Sequence, residues 1–276
     1  MAAAVMAVVT ALTASCTASI RSSPSPSASA TEAPAVSASP AADPVNDPSV
    51  QRTVAVGDLD VALVCWGEGS PTIVLEIGGT NIEEWTGSAL VQQLVGPTRV
   101  CTYDRPGTGQ SEDPPNERRD ADNAIAVLQQ VLSAGQVGGP FVLLGRSFGG
   151  MIVTHYAAEL PEDVLGVVVV DTPAPSAEWS EEDQAELAWD NPSNSERLDV
   201  LNGFEIRFAS DPPEFDLPLL LISPIDGESS AEDQAFWLNT TGSQAEQVTP
   251  SSCDDPMDDE CATKIREFVQ GLSSGG

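Results

Sequence analysis

The sequence predicts an α/β domain built on a mostly parallel sheet with helices on both faces. Three observations predict it. Short apolar runs are uninterrupted rather than alternating, as in TIVLEI at 72–77, LGVVVV at 165–170 and LPLLLI at 217–222; strands of that kind are buried on both faces. Segments with apolar residues at helical spacing lie between the runs. Several runs end at a Gly or Asp that opens a turn. Strands alternating with helices in this way require crossover connections and so a parallel sheet.

The elements follow in order from Thr53. Val54–Val56 and Val61–Trp66 read as two strands around a Gly57-Asp58 turn. Thr72–Ile77 is a buried strand that runs into Gly78-Gly79. Trp85–Leu94 carries Leu90, Val91 and Leu94 at helical spacing, and Arg99–Tyr103 is the next strand. Asp120–Leu132 opens on a capping-type Asp and sets Ile125, Leu128, Val131 and Leu132 on one stripe. Pro140–Leu144 is a strand, and Gly149–Leu160 a helix that stops before Pro161. Leu165–Val170 ends at Asp171, and Leu217–Ile222 is followed by Asp226. A short strand at Glu246–Val248 and a helix at Thr263–Leu272 close the chain. The stretch 172–216 breaks the rhythm. It is acidic yet holds Trp179, Trp189, Phe204 and Phe208. A structureless loop of that length is unusual inside a domain, so a helical cap over a pocket is expected there.

The first residues are of another kind. Residues 2–15 are apolar or small and uncharged, and Cys16 follows. A run of about 14 is short of the roughly 20 that span a bilayer, and it suits a signal peptide. LTASC at 12–16 resembles a lipobox, with cleavage before Cys16 and lipid on that cysteine. No Lys or Arg precedes the run, and Thr13 stands where Leu is commoner; a plain secretory signal is the alternative. Residues 16–52 then form a Pro-, Ser- and Ala-rich tether, too poor in apolar residues to offset the entropy of ordering. The domain is expected at 53–276, outside the cell and held to the membrane through the lipid, or simply secreted. Export also implies a compartment where disulfides persist.

The chain has 11 Lys and Arg against 42 Asp and Glu, a net charge of −31. A nucleic-acid binder needs cationic groups to displace phosphate counterions, so that class is excluded. A monomer that takes a small-molecule substrate or ligand is expected, with no cofactor and no metal. There is one histidine, His155.

Gly145-Arg146-Ser147-Phe148-Gly149-Gly150 is a G-x-S-x-G motif between a predicted strand and a predicted helix, the context of a nucleophile elbow. With LEIGG at 75–79, YDRPGTGQS at 103–111, GPFVLLGRSFGG at 139–150 and Val168–Asp171, the chain resembles the α/β-hydrolase superfamily over about residues 55–272. The resemblance implies an eight-stranded, mostly parallel sheet with Ser147 as nucleophile. Oxyanion donors are implied at the amides of Phe148 and Gly79. The acid is implied at Asp226, with Asp171 as the alternative. The family's sheet order makes the strands of Cys65 and Cys101 neighbours, which implies a Cys65–Cys101 bridge and leaves Cys253 to pair with Cys261.

The resemblance also implies a histidine near the C-terminus, and none occurs after His155. At about 1.5 Å per residue, His155 lies about 12 Å beyond Ser147 along its helix, too far to take a proton from the hydroxyl. In a comparable serine enzyme, loss of the histidine costs about 10⁶ in turnover and the oxyanion hole leaves about 10³–10⁴ over water. Asp254, Asp255, Asp258, Asp259 and Glu260 are candidate bases. A carboxylate suits that task at neutral pH only if its pKa is raised, and a solvated acidic loop is the simpler reading. Three functions therefore compete: weak or unorthodox hydrolysis of an ester, amide or related acyl substrate; ligand binding on a hydrolase fold without turnover; and a surface accessory role for the acidic cap.

Overall fold

The computed structural model describes residues 47–78, 81–176, 180–225, 227, 229–241, 244–251, 253 and 258–274. The strands are β1 (Val50–Val56), β2 (Leu59–Trp66), β3 (Thr72–Ile77), β4 (Arg99–Tyr103), β5 (Phe141–Arg146), β6 (Val164–Val170), β7 (Leu219–Ile222) and β8 (Ala245–Val248). They form one sheet in the order β1-β2-β4-β3-β5-β6-β7-β8. β2 runs antiparallel to both of its neighbours, and all other pairings are parallel. Strands β3, β5 and β6 are central, which is why their sequences are continuously apolar.

Helices α3 (Ala121–Ala134) and α4 (Phe148–Glu159) pack on one face, together with Phe204, Phe208 and Trp237. Helices α1 (Ile82–Trp85), α2 (Ala89–Leu94) and α8 (Asp259–Ser274) cover the other. Residues 42–276 make one compact unit, whereas the expected signal, Cys16 and most of the tether lie outside the described residues.

Three differences from the sequence reading have physical reasons. β1 begins at Val50 rather than after residue 52, because its outward side chains are polar and hide the pattern; the Arg52 guanidinium is bonded to the carbonyl of Gly135. The helix expected over 85–94 is two helices: Gly87 sits at φ 77° and Ser88 caps α2 by accepting the Val91 N–H at 3.2 Å. Helix α7 (Ala231–Asn239) was not anticipated. Its signal is a capping box in which Ser230 and Asp233 bond reciprocally.

The stretch 172–216 contains α5 (Glu181–Glu186), a π-helical turn at Leu201–Glu205 and α6 (Ile206–Ser210). The turn is anchored by buried Phe204 and Phe208. α7 holds the start of the stretch: Trp237 Nε1 donates to Thr172 O at 2.7 Å, and Asp233 accepts the Ala174 N–H at 2.7 Å.

Both disulfides are present. Cys65 and Cys101 oppose each other on β2 and β4 with Cα atoms 4.1 Å apart. Cys253 joins Cys261 at the start of α8, with Cα atoms 5.5 Å apart.

Candidate active site

Ser147 follows β5 directly and caps α4 with φ 51° and ψ −130°, a conformation that L-residues avoid. The surroundings enforce it. The Ser147 N–H donates to Val170 O at 3.1 Å, and the Gly150 N–H returns to Ser147 O at 2.9 Å. Helix and strand approach so closely that a Cβ on Gly145 would lie 2.5 Å from Gly149 O. The result is an exposed serine in front of the N-terminus of a 12-residue helix, where developing negative charge is favoured.

The loop after β3 reaches the same place. A Cβ on Gly78 would sit 3.3 Å from both Ser147 Oγ and Phe148 N. Asp104 and Arg105 clamp this loop at its two ends. Arg105 Nη2 donates to Gly78 O at 2.6 Å, and the Ile82 N–H donates to Asp104 Oδ1 at 2.8 Å. Gly79, the second implied oxyanion donor, lies between them and outside the described residues.

Arg105 is itself buried between two carboxylates, Glu76 at 2.7 Å and Glu196 at 2.6 Å. Burial pushes the Glu76 carboxyl up, and the Arg105 charge and hydrogen bond oppose that push. Burial alone would lower the Arg105 pKa; Glu196 and then Glu76 outweigh it and hold the guanidinium charged.

The two implied acids fare differently. Asp226 lies outside the described residues. Asp171 follows β6 with φ 42°, and its Oδ1 accepts the Ser229 N–H at 3.0 Å, so it braces the turn after β7. His155 is buried on α4. Its Nε2 is 2.9 Å from Asp122 Oδ1, which Arg207 also reaches at 3.0 Å, and its ring packs on Phe208 at 5.2 Å. It is a structural histidine. Cys253 is buried and bonded to Cys261. Of the acidic cluster, Asp258 accepts the Cys261 N–H at 3.0 Å and Glu260 accepts the Ser251 N–H at 3.2 Å, which is helix-end work; Asp254 and Asp255 lie outside the described residues.

Ser147 opens on a cavity of about 470 Å³. Phe148, Met151, Leu187 and Leu198 give it an apolar wall. Two carboxylates of special interest line it as well: Glu196, held by Arg105, and Glu205. Glu205 ends the π-helical turn, a distortion often found at functional sites. It is 6% exposed, and its Oε2 accepts the Ser176 N–H at 2.8 Å. Burial raises its pKa to about 7, against the pull of that hydrogen bond. The sequence reading did not single out Glu76 or Glu205. Glu76 had a signal, a lone charge in TIVLEI; Glu205 had none.

The alpha/beta hydrolase fold family matches residues 71–196, from β3 to Glu196. Among curated proteins, the uncharacterized protein YqjL of Bacillus subtilis is 32% identical over 106 residues, 38% of this chain and 41% of that protein. An AB hydrolase superfamily protein of Gibberella zeae is 30% identical over 106 residues, 37% of this chain and 32% of that one. The matched segment thus spans less than half of either relative. Solved structures agree over more of the chain. A membrane phospholipase A described as a bacterial virulence factor superposes with TM-score 0.65 at 19% identity, covering 82% of this chain and 87% of its own. The Cif epoxide hydrolase of Acinetobacter nosocomialis gives 0.61 at 13%, covering 81% and 88%. A haloalkane dehalogenase variant of Bradyrhizobium elkanii gives 0.61 at 15%, covering 82% and 97%. These proteins carry out different reactions on one fold, so the fold alone does not choose among them. Strand order, the elbow and the match over 71–196 together give this chain the α/β-hydrolase fold.

Proposed function

We propose that the chain is a serine hydrolase of a small ester or related acyl substrate, with Ser147 as nucleophile. The observation that carries this reading is the exposed Ser147 hydroxyl, set on an apolar-walled cavity beside the Phe148 N–H and Gly78. Attack by Oγ on the substrate carbonyl would put negative charge on the carbonyl oxygen. The Phe148 N–H at the α4 N-terminus is the donor for it, and the Gly79 amide is the second. Arg105 and Asp104 keep the Gly78 loop against the serine. The acyl chain would lie against Met151, Leu187 and Leu198. Asp226 or Asp171 would be the acid by family position, with no imidazole to orient.

Turnover on this reading is slow, since the chain's one histidine is committed to Asp122. That same observation favours a second reading, a ligand-binding protein that keeps the cavity without turnover. The protein would work outside the cell as a monomer, anchored through lipid on Cys16 or secreted, on a small molecule rather than nucleic acid. The two disulfides support an oxidising compartment.

Labelling the full chain with a fluorophosphonate probe separates the readings. A hydrolase is labelled at Ser147, and Ser147→Ala removes the label. Absence of any label from the wild type would leave the binding reading in place.

A further inference from the structure

We infer that Glu205 is the proton acceptor for Ser147, taking the place of the imidazole that the chain lacks. The inference rests on the serine-hydrolase reading and deepens it.

Geometry carries it. Glu205 and Ser147 line one cavity of about 470 Å³, roughly the span of a small acyl substrate and a water or two. Their sequence neighbours are in contact: the rings of Phe148 and Phe204 meet edge to face with centroids 4.7 Å apart. That contact ties the π-helical turn to the elbow. Among the described residues, one carboxylate oxygen of Glu205, Oε2, is engaged, by the Ser176 N–H. Oε1 accepts no hydrogen bond from the other described residues and is not among their fully buried unpartnered oxygens, so it keeps accessible surface on a residue that lines the cavity.

The other charged groups near it leave this role open. Glu196 faces the same cavity but is bound twice by Arg105, at 2.6 and 2.9 Å. Glu186 on α5 lines the cavity and is exposed. From α3, α4 and α6, Asp122, His155 and Arg207 form their own cluster against Phe208. Titration supports the assignment: a carboxyl that ionises at about 7 matches a general base at neutral pH.

The step balances. Ser147 Oγ bonds to the acyl carbon while its proton passes to the Glu205 carboxylate, directly or through one water. The carbonyl electron pair moves to oxygen beside the Phe148 N–H. Collapse breaks the bond to the leaving alkoxide, which takes the proton from Glu205. Water then repeats the sequence on the acyl-enzyme and releases the acid.

The test is the rate of fluorophosphonate labelling at Ser147 in the full chain, followed across pH for wild type, Glu205→Gln and Glu205→Asp. Gln keeps the shape and the bond from Ser176. The wild-type rate is expected to rise with a midpoint at about 7. Glu205→Gln is expected to lose that titration and about 10²-fold in rate above it. Glu205→Asp is expected to keep the titration at a lower rate. Wild-type labelling with an unchanged rate and pH profile in Glu205→Gln overturns the role of Glu205 and leaves the serine-hydrolase reading standing. Absence of labelling in the wild type overturns both.

Discussion

Glu205→Gln also has a thermodynamic consequence, independent of any substrate. In the unfolded chain the Glu205 carboxyl returns to its ordinary value of 4.5, whereas the folded protein holds its proton up to about 7. Between these limits the folded state binds more protons than the unfolded state, so stability falls as pH rises. Below 4.5 both states are protonated and the group contributes nothing. Above 7 both are ionised and the folded state carries the whole penalty of the buried charge. A tenfold change in proton affinity is worth about 1.4 kcal/mol, which makes that penalty about 3 kcal/mol.

Gln carries no such penalty. The difference in unfolding free energy, variant minus wild type, should therefore grow by about 3 kcal/mol between about pH 4.5 and pH 8. At the upper end this corresponds to a gain of about 6–12 °C in Tm for a domain of this size. Urea denaturation at a series of pH values, followed by tryptophan fluorescence, reads the difference directly. Taking it between two proteins cancels the other carboxylates, which titrate alike in both. A difference that stays constant within about 0.5 kcal/mol would refute the reasoning, because it would mean that Glu205 ionises as an ordinary solvated side chain.

Two further perturbations probe the frame of the site. Arg105→Met leaves Glu76 buried without its cation and should lower stability by about 3–5 kcal/mol in chemical denaturation at neutral pH, with Glu76→Gln recovering part of the loss. Ser147→Gly should abolish phosphonate labelling yet raise stability by about 1 kcal/mol: relief of a strained φ returns about 1–3 kcal/mol, and the extra freedom of glycine when unfolded takes back about 0.5–1. An unchanged or lower stability in Ser147→Gly would show that the elbow stores no strain.

The fold was legible because its signals are local. Strands β3 and β4 have the bounds that their apolar runs gave, and the elbow sits where strand, glycines and helix coincide in GPFVLLGRSFGG. Failures came where the decisive fact was a single turn. Gly87 divides a helix that the spacing of Leu90, Val91 and Leu94 made look continuous. α7 escaped notice because a nine-residue helix with one fully buried side chain, Trp237, leaves almost no periodic trace. The pairing of Cys65 with Cys101 came from sheet order rather than spacing, since 36 residues separate them.

The candidate site divides along the same line. Ser147 and Phe148 belong to one motif, so their juxtaposition is fixed by the chain itself. The clamp was half visible: Asp104 and Arg105 stand in YDRPGTGQS, but their partners Gly78, Ile82 and Glu76 become partners only when β3 and β4 lie side by side. Glu205 was invisible. Nothing in LNGFEIRF distinguishes its glutamate from those that the acidic surface carries throughout. What distinguishes it is its burial, one bond from Ser176 twenty-nine positions away, and a cavity that it shares with the elbow. The condition that the sequence set for a carboxylate base, a raised pKa, is a property of the environment, and the environment is assembled from segments far apart in the chain. The acidic cluster at 254–260 met the compositional half of that condition. Of its described members, Asp258 and Glu260 accept backbone N–H groups of Cys261 and Ser251 at the start of α8, and Asp259 accepts from Gln93 Nε2 at 2.9 Å. Glu205 meets the environmental half as well, which is why titration of the variant, rather than inspection of composition, is the measurement that tells a base from a surface charge.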